Sequence, residues 1–120
     1  MKTLLLADDE PNLRMLARIT LEDPKYRIIE AADGTSALEL ARIEHPDLLV
    51  LDWMMPGMSG IEVARSLRQD PTTASIPIIM LTSKGQEADR EQGRAVGAYA
   101  YLVKPFSPLE LLEKVEQILQ

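Results

Sequence analysis

The amino-acid sequence predicts one α/β domain, a doubly wound parallel sheet with helices on both faces, occupying residues 1–120. Three observations carry this expectation. The runs 3–7, 48–51 and 76–81 are almost continuously apolar, as strands covered on both faces are. Segments with apolar residues at helical spacing lie between them. Strand and helix patterns alternate five times along the chain, the mark of parallel strands joined by helical crossovers.

Each element follows in order. Thr3–Ala7 reads as the first strand; its apolar stretch is too short for a signal-peptide core and meets two acids at once. Pro11 suits a first helical turn, and Leu13, Leu16, Ala17, Thr20 and Leu21 follow at helical spacing. Tyr26–Ala31 is a mixed run that suits a strand nearer an edge. Ser36–Ile43 reads as a second helix, Leu48–Leu51 as the third strand, and Ile61–Leu67 as a third helix after Gly60. Ile76–Leu81 is the fourth strand. The polar stretch Gln86–Val96, interrupted by Gly93, is the weakest helical pattern. Ala98–Val103 gives a short fifth strand. The last helix, Pro108–Leu119, places Leu109, Leu112, Val115, Ile118 and Leu119 on one face behind Ser107 as N-cap.

Composition narrows the function classes. Apolar residues at 46% and charged residues at 27% are the balance of a folded domain rather than a disordered one. Without cysteine there are no disulfides and no thiolate chemistry, which fits a reducing cytoplasm. A formal charge of −6 argues against non-specific attraction to nucleic acid or anionic membranes. No apolar run approaches the ~18 residues that span a bilayer.

In doubly wound sheets ligands gather beyond the carboxyl ends of the strands. The residues expected there are Asp8 and Asp9, Asp52, Thr82 and Ser83, and Lys104. Three crowded carboxylates resist ionisation unless a cation compensates. A hard divalent cation with oxygen ligands, magnesium above all, is the natural choice, since no cysteine and no nearby histidine favours zinc or copper. His45, the only histidine, precedes a strand and belongs to the opposite end. Lys104 offers a compact positive charge, and Thr82 a hydroxyl, for phosphoryl oxygens. Blander roles exist for each: Asp9 as a helix cap, Lys104 as partner of one buried acid, Thr82 as the cap of the next segment. Together these leave Asp8 and Asp52 uncompensated. Asp8 and Asp9 are adjacent at a helix start and suit metal binding. Asp52 stands alone before the loop Met55-Pro56-Gly57-Met58-Ser59-Gly60, which makes it the expected nucleophile for phosphoryl transfer.

The segments Ala7-Asp8-Asp9-Glu10, Asp47 through Asp52, Met54-Met55-Pro56-Gly57-Met58-Ser59-Gly60, Leu81-Thr82 and Lys104-Pro105-Phe106 together resemble the bacterial response-regulator receiver domain, over essentially the whole chain. The switch-point rule used above is drawn partly from proteins of that fold, so it is not independent support. The resemblance implies a flavodoxin-like (βα)5 fold with strand order 2-1-3-4-5. It implies a two-component switch that takes a phosphoryl group on Asp52 from a sensor histidine kinase or phosphotransfer protein, catalysing only its own phosphorylation and dephosphorylation. Mg2+ (or Mn2+) would be held by Asp9, Asp52 and the backbone carbonyl of Met54, with Asp8 acting through water. Thr82 and Lys104 would hold the phosphoryl group, Tyr101 would be the switch aromatic, and the Lys104–Pro105 bond would be cis. The implied partners are the kinase and an output domain or target protein. Direct nucleic-acid or membrane contact is not implied, the location is the cytoplasm, and the state is a monomer or a phosphorylation-dependent dimer.

The chain departs from the family pattern in places. Tyr99 and Ala100 stand where many DNA-binding members carry an acidic pair, although Arg90, Glu110 and Lys114 keep part of the charge pattern. The surface of Arg90, Tyr99, Tyr101 and Lys114 is therefore expected to meet a partner through aromatic contacts. Met54, Ser83 and Lys84 border the expected path of an attacking water and would tune the phosphoryl lifetime. Trp53, the only tryptophan, should report magnesium by its fluorescence. A magnesium-dependent phosphatase with an aspartate nucleophile needs a second acid two residues on, where Met54 stands. A flavin or nucleotide domain would cradle phosphate on glycine amides, not on Asp8-Asp9-Glu10-Pro11. An adaptor that is never phosphorylated would not need the complete residue set.

Overall fold

In the computed structural model the described residues are 1–83 and 87–119, with backbone alone described for Glu87 to Arg90. The elements run β1 (Lys2–Ala7), α1 (Pro11–Leu21), β2 (Tyr26–Ala31), α2 (Gly34–Glu44), β3 (Leu48–Asp52), α3 (Gly60–Gln69), β4 (Ile78–Thr82), α4 (Glu87–Ala95), β5 (Ala100–Val103) and α5 (Pro108–Leu119). All neighbouring strands are parallel, in the order β2-β1-β3-β4-β5. The chain winds outward from β1 to β2 and then crosses back to β3. The carboxyl ends of β1 and β3 thus flank the point where the winding reverses, and a crevice opens there.

Side-chain alternation divides the core into two layers. Leu5, Ala7, Leu49, Leu51, Ile78 and Met80 pack under Ala37, Leu38 and Ala41 of α2 and Ile61, Val63, Ala64 and Leu67 of α3. Leu4, Leu6, Leu48, Val50, Ile79, Leu81 and Leu102 pack under Ala17 and Leu21 of α1 and Leu111 and Val115 of α5. Burial on both faces is why the central strands read as continuous apolar runs rather than alternating ones.

Several boundaries differ from expectation for local reasons. β4 begins at Ile78 because Pro77 has no N–H for the ladder, and the Ile76 N–H closes a turn on the Thr73 carbonyl at 3.2 Å. α2 starts early, at Gly34, since the Asp33 carboxylate accepts the Ser36 N–H at 2.7 Å. β5 starts late, because the Ala98 N–H is taken by the Gly93 carbonyl at the end of α4, at 3.0 Å. In α5 Leu109 is 63% exposed and the deeply buried residues are Leu111 and Val115. Two residues make roughly 200° of helical turn, so Leu109 lies nearly opposite Leu111 and leaves the predicted apolar face. Leu16 of α1 is likewise exposed. Ser107 does cap α5, accepting the Leu109 N–H at 3.2 Å.

Candidate functional site

The strand ladders extend further than expected, and this decides where the polar groups sit. Asp52 is the last residue of β3, paired with Leu81, and Thr82 is the last of β4, paired with Val103. Both had been expected just past their strands. The Asp8 N–H donates to the Ala31 carbonyl at 3.1 Å, so the β1–β2 ladder also continues into the acidic turn. Asp9 does not cap α1. Glu10 occupies the N-cap position without a side-chain bond, and the Asp8 carboxylate accepts the Glu10 N–H at 2.9 Å.

Asp8, Asp52 and Thr82 are all buried, at 3%, 4% and 3% exposure, whereas Asp9 is exposed. The Lys104 ammonium lies 3.0 Å from Asp52 Oδ2, 3.2 Å from Asp8 Oδ2 and 3.6 Å from Glu10 Oε1. Carboxylate oxygens of Asp8, Asp9 and Asp52 lie within 4.8 Å of one another. One ammonium faces several acids, and the deficit of positive charge shows at Asp52. Burial pushes the Asp52 carboxyl up to about 7, against the hydrogen bond from Lys104 and with the help of the neighbouring Asp8 charge. Burial acts to lower Lys104, but the hydrogen bond and charge of Asp52, with those of Asp8, hold its ammonium above the usual range. Asp8 Oδ2 is fully buried and lies 3.2 Å from the ammonium it shares with Asp52. Spare anionic oxygen, converging from two strand ends with no nitrogen or sulfur donor in the cluster, fits a hard divalent cation.

The loop after β3 is fastened to its surroundings. The Trp53 N–H donates to the Leu81 carbonyl and the Gly60 N–H to the Trp53 carbonyl, both at 2.8 Å. Ser59 and Glu62 form a reciprocal capping box at the start of α3. Across the loop, the Gly34 N–H donates to the Pro56 carbonyl at 3.3 Å. A Cβ on Gly34 would stand 1.9 Å from the Met58 carbonyl oxygen, so only glycine fits beneath this loop. Met54 is exposed and donates its N–H weakly to Asp52 Oδ1 at 3.4 Å; no carboxylate stands two residues after Asp52.

Alternation separates the remaining groups. Asp52 follows Leu48 and Val50 toward the α1/α5 side, where Lys104 follows Leu102. Thr82 follows Ile78 and Met80 toward the α2–α3 side. Tyr101 pairs with Met80 and packs its half-buried ring into that same layer. Its hydroxyl occupies the place a side chain on Gly93 would take, since a Cβ there would lie 1.1 Å from Tyr101 Oη. Gly93, which reads in the sequence only as an interruption of a helix, is thus the seat of the Tyr101 ring. Tyr99 is exposed, Ser83 is exposed and His45 is exposed at the far end of the sheet. Lys104–Pro105 is a cis bond. Lys84 and the side chain of Arg90 lie outside the described residues.

The model of the response regulator receiver domain matches residues 4–116. The chain belongs to the response-regulator receiver domain family. Members of this family are phosphorylation-controlled signalling switches of two-component systems, and the acidic cluster of this receiver is of the kind at which they bind Mg2+. It is 46% identical over 119 residues to the phosphate regulon transcriptional regulatory protein PhoB of Pseudomonas aeruginosa, covering 99% of this chain and 52% of that protein. It is 46% identical over 117 residues to the transcriptional regulatory protein ResD of Bacillus subtilis, covering 98% and 48%. The chain thus spans about half the length of the curated relatives it matches. The chemotaxis protein CheY4 of Vibrio cholerae superposes on the receiver with a TM-score of 0.91 at 36% identity, covering 99% of each chain. Among the described residues no helix is long and apolar enough to cross a membrane.

Proposed function

We propose that residues 1–120 form a receiver domain that stores a phosphoryl group on Asp52, taken from the phosphohistidine of a sensor kinase or phosphotransfer protein. The observation that carries this reading is the Lys104 ammonium shared between Asp52 and Asp8, at 3.0 and 3.2 Å, inside a buried acidic cluster. An ionised Asp52 oxygen attacks phosphorus in line, the P–N bond breaks, and its electron pair returns to the imidazole, which takes up a proton. Lys104 then pairs with a phosphoryl oxygen in place of the carboxylate, and the Thr82 hydroxyl donates to another. Mg2+ (or Mn2+), held by Asp9, Asp52 and the Met54 carbonyl with Asp8 behind a water, would neutralise charge on the transferring group. Loss of the group follows water attack, past Met54 and Ser83. The domain is no enzyme toward other molecules.

A phosphoryl group brings about −1.5 to −2 charges and new acceptor oxygens. Drawing Thr82 toward it changes the wall against which Tyr101 packs, biasing that ring and the surface of Tyr99, Tyr101 and Lys114. That surface would meet an output domain, a target protein or a second copy through aromatic contacts, with the domain in the cytoplasm and neither nucleic acid nor membrane bound directly. Acetyl phosphate with Mg2+ followed by intact mass measurement tests the acceptor. One phosphoryl group is expected on the wild type and none on Asp52→Asn; an equal gain in the variant would overturn the assignment.

A further inference from the structure

Arg14, one turn into α1, reaches back over the acidic turn. Its Nη1 donates to the Asp8 carbonyl oxygen at 2.7 Å, and its Nε donates to Glu30 Oε1 at 2.9 Å. The other Glu30 oxygen takes Arg18 Nη1 at 2.6 Å, so one carboxylate on β2 orients both arginines of α1. The Arg14 side chain is only 20% exposed, which shields the contact to Asp8 from water. Around that contact the Asp8 N–H is held by Ala31 and the Asp8 Oδ1 by the Glu10 N–H. Both acids of the turn, Asp8 and Asp9, therefore leave a short piece of backbone whose carbonyl is set by a guanidinium braced from the neighbouring strand.

We infer that Arg14 is a positioning residue for the divalent cation, setting the direction in which Asp8 and Asp9 present their carboxylates. This rests on the reading of Asp8, Asp9 and Asp52 as the metal cluster. Arg14 touches neither a carboxylate of the cluster nor the acceptor. Groups that orient metal ligands from behind typically alter affinity by about 10- to 100-fold. Two other roles predict different results. A bystander charge acts in the opposite sense, since removing a cation near a dication's site tightens binding. A residue that only supports the fold changes stability and leaves affinity alone.

The test is Mg2+ binding by isothermal titration calorimetry on the intact chain, for wild type, Arg14→Gln, Arg14→Lys, Glu30→Gln and Asp9→Asn. Arg14→Gln is expected to weaken Mg2+ about 10-fold or more. Acetyl-phosphate labelling should slow at low Mg2+ and recover at saturation. Arg14→Lys, able to reach one acceptor but not both, should fall between. Glu30→Gln, which keeps the guanidinium but leaves its brace one neutral acceptor in place of two charged ones, should weaken Mg2+ less than Arg14→Gln. Unchanged or tighter Mg2+ affinity in folded Arg14→Gln overturns the inference. If Arg14→Gln does not fold, Glu30→Gln decides, and an unweakened affinity there overturns it equally. A wild type that binds no Mg2+, like Asp9→Asn, overturns the metal reading itself and the inference with it.

Discussion

Replacing Asp52 with asparagine is expected to stabilise the metal-free domain, and to do so increasingly as pH rises. Burial holds the Asp52 carboxyl near 7, against an ordinary 3.8. A shift of that size corresponds to a ceiling of about 4 kcal/mol, at roughly 1.4 kcal/mol per unit. That shift already includes the opposing hydrogen bond from Lys104, and screening by nearby solvent reduces it, so the net gain should be about 1–3 kcal/mol. The sign follows from proton binding. Between about pH 4 and pH 7 the folded wild type holds a proton that the unfolded chain has released, so its stability falls as pH rises through that window. Asparagine has no such proton. Urea unfolding in the presence of EDTA, at steps from about pH 5 to pH 8, should show the gap between the two proteins opening with pH. Millimolar Mg2+ should narrow or invert it, since the ion binds the folded wild type and restores the missing positive charge. A variant less stable than wild type at pH 8 without metal, or a gap that ignores pH, would refute the account of a charge-deficient pocket.

Other perturbations test the surroundings. Gly93→Ala should destabilise by about 1–3 kcal/mol through overpacking, although alanine inside a helix normally gains about 1 kcal/mol. Tyr101 ring resonances should shift, and the double change Gly93→Ala/Tyr101→Leu should recover stability. Arg68 donates to the carbonyls of Ala74, Ile76, Val96 and Gly97 at 2.7 to 3.2 Å. Arg68→Met, which leaves those acceptors without their donor, should lower stability by about 2–3 kcal/mol in urea unfolding. Asp33→Ala removes the cap of α2 and should lower it by about 1 kcal/mol.

Much of the fold was legible because apolar runs and helical spacing are local signals. The sheet is covered on both faces, so Leu48–Leu51 could read as nothing but a buried strand or a short buried helix, and alternation with helices settled the choice. The candidate site was legible at Asp8, Asp9, Asp52 and Lys104 because strand ends are where side chains of a parallel sheet converge. Which side of the sheet each group faces was not legible. A shift of one residue reverses that side, and the ends of β3 and β4 ran one residue past the expected limit. Gly93 looked like a weakness because its reason, the Tyr101 hydroxyl, sits eight positions away on another element. Nothing in the sequence singles out Arg14 or Arg68. Their acceptors are backbone carbonyls, which every residue possesses and no sequence pattern marks.

The glycine beneath the loop at Met58 has a mechanical consequence. With no room between Gly34 and the Met58 carbonyl, α2 acts as an abutment for everything that overhangs Asp52 on that flank. On the other flank Arg68 grips Val96 and Gly97, just past the last turn of α4, and makes that end a fulcrum. The two flanks are thus tied at fixed points, α2 beneath the loop and α3 onto the residues that follow α4.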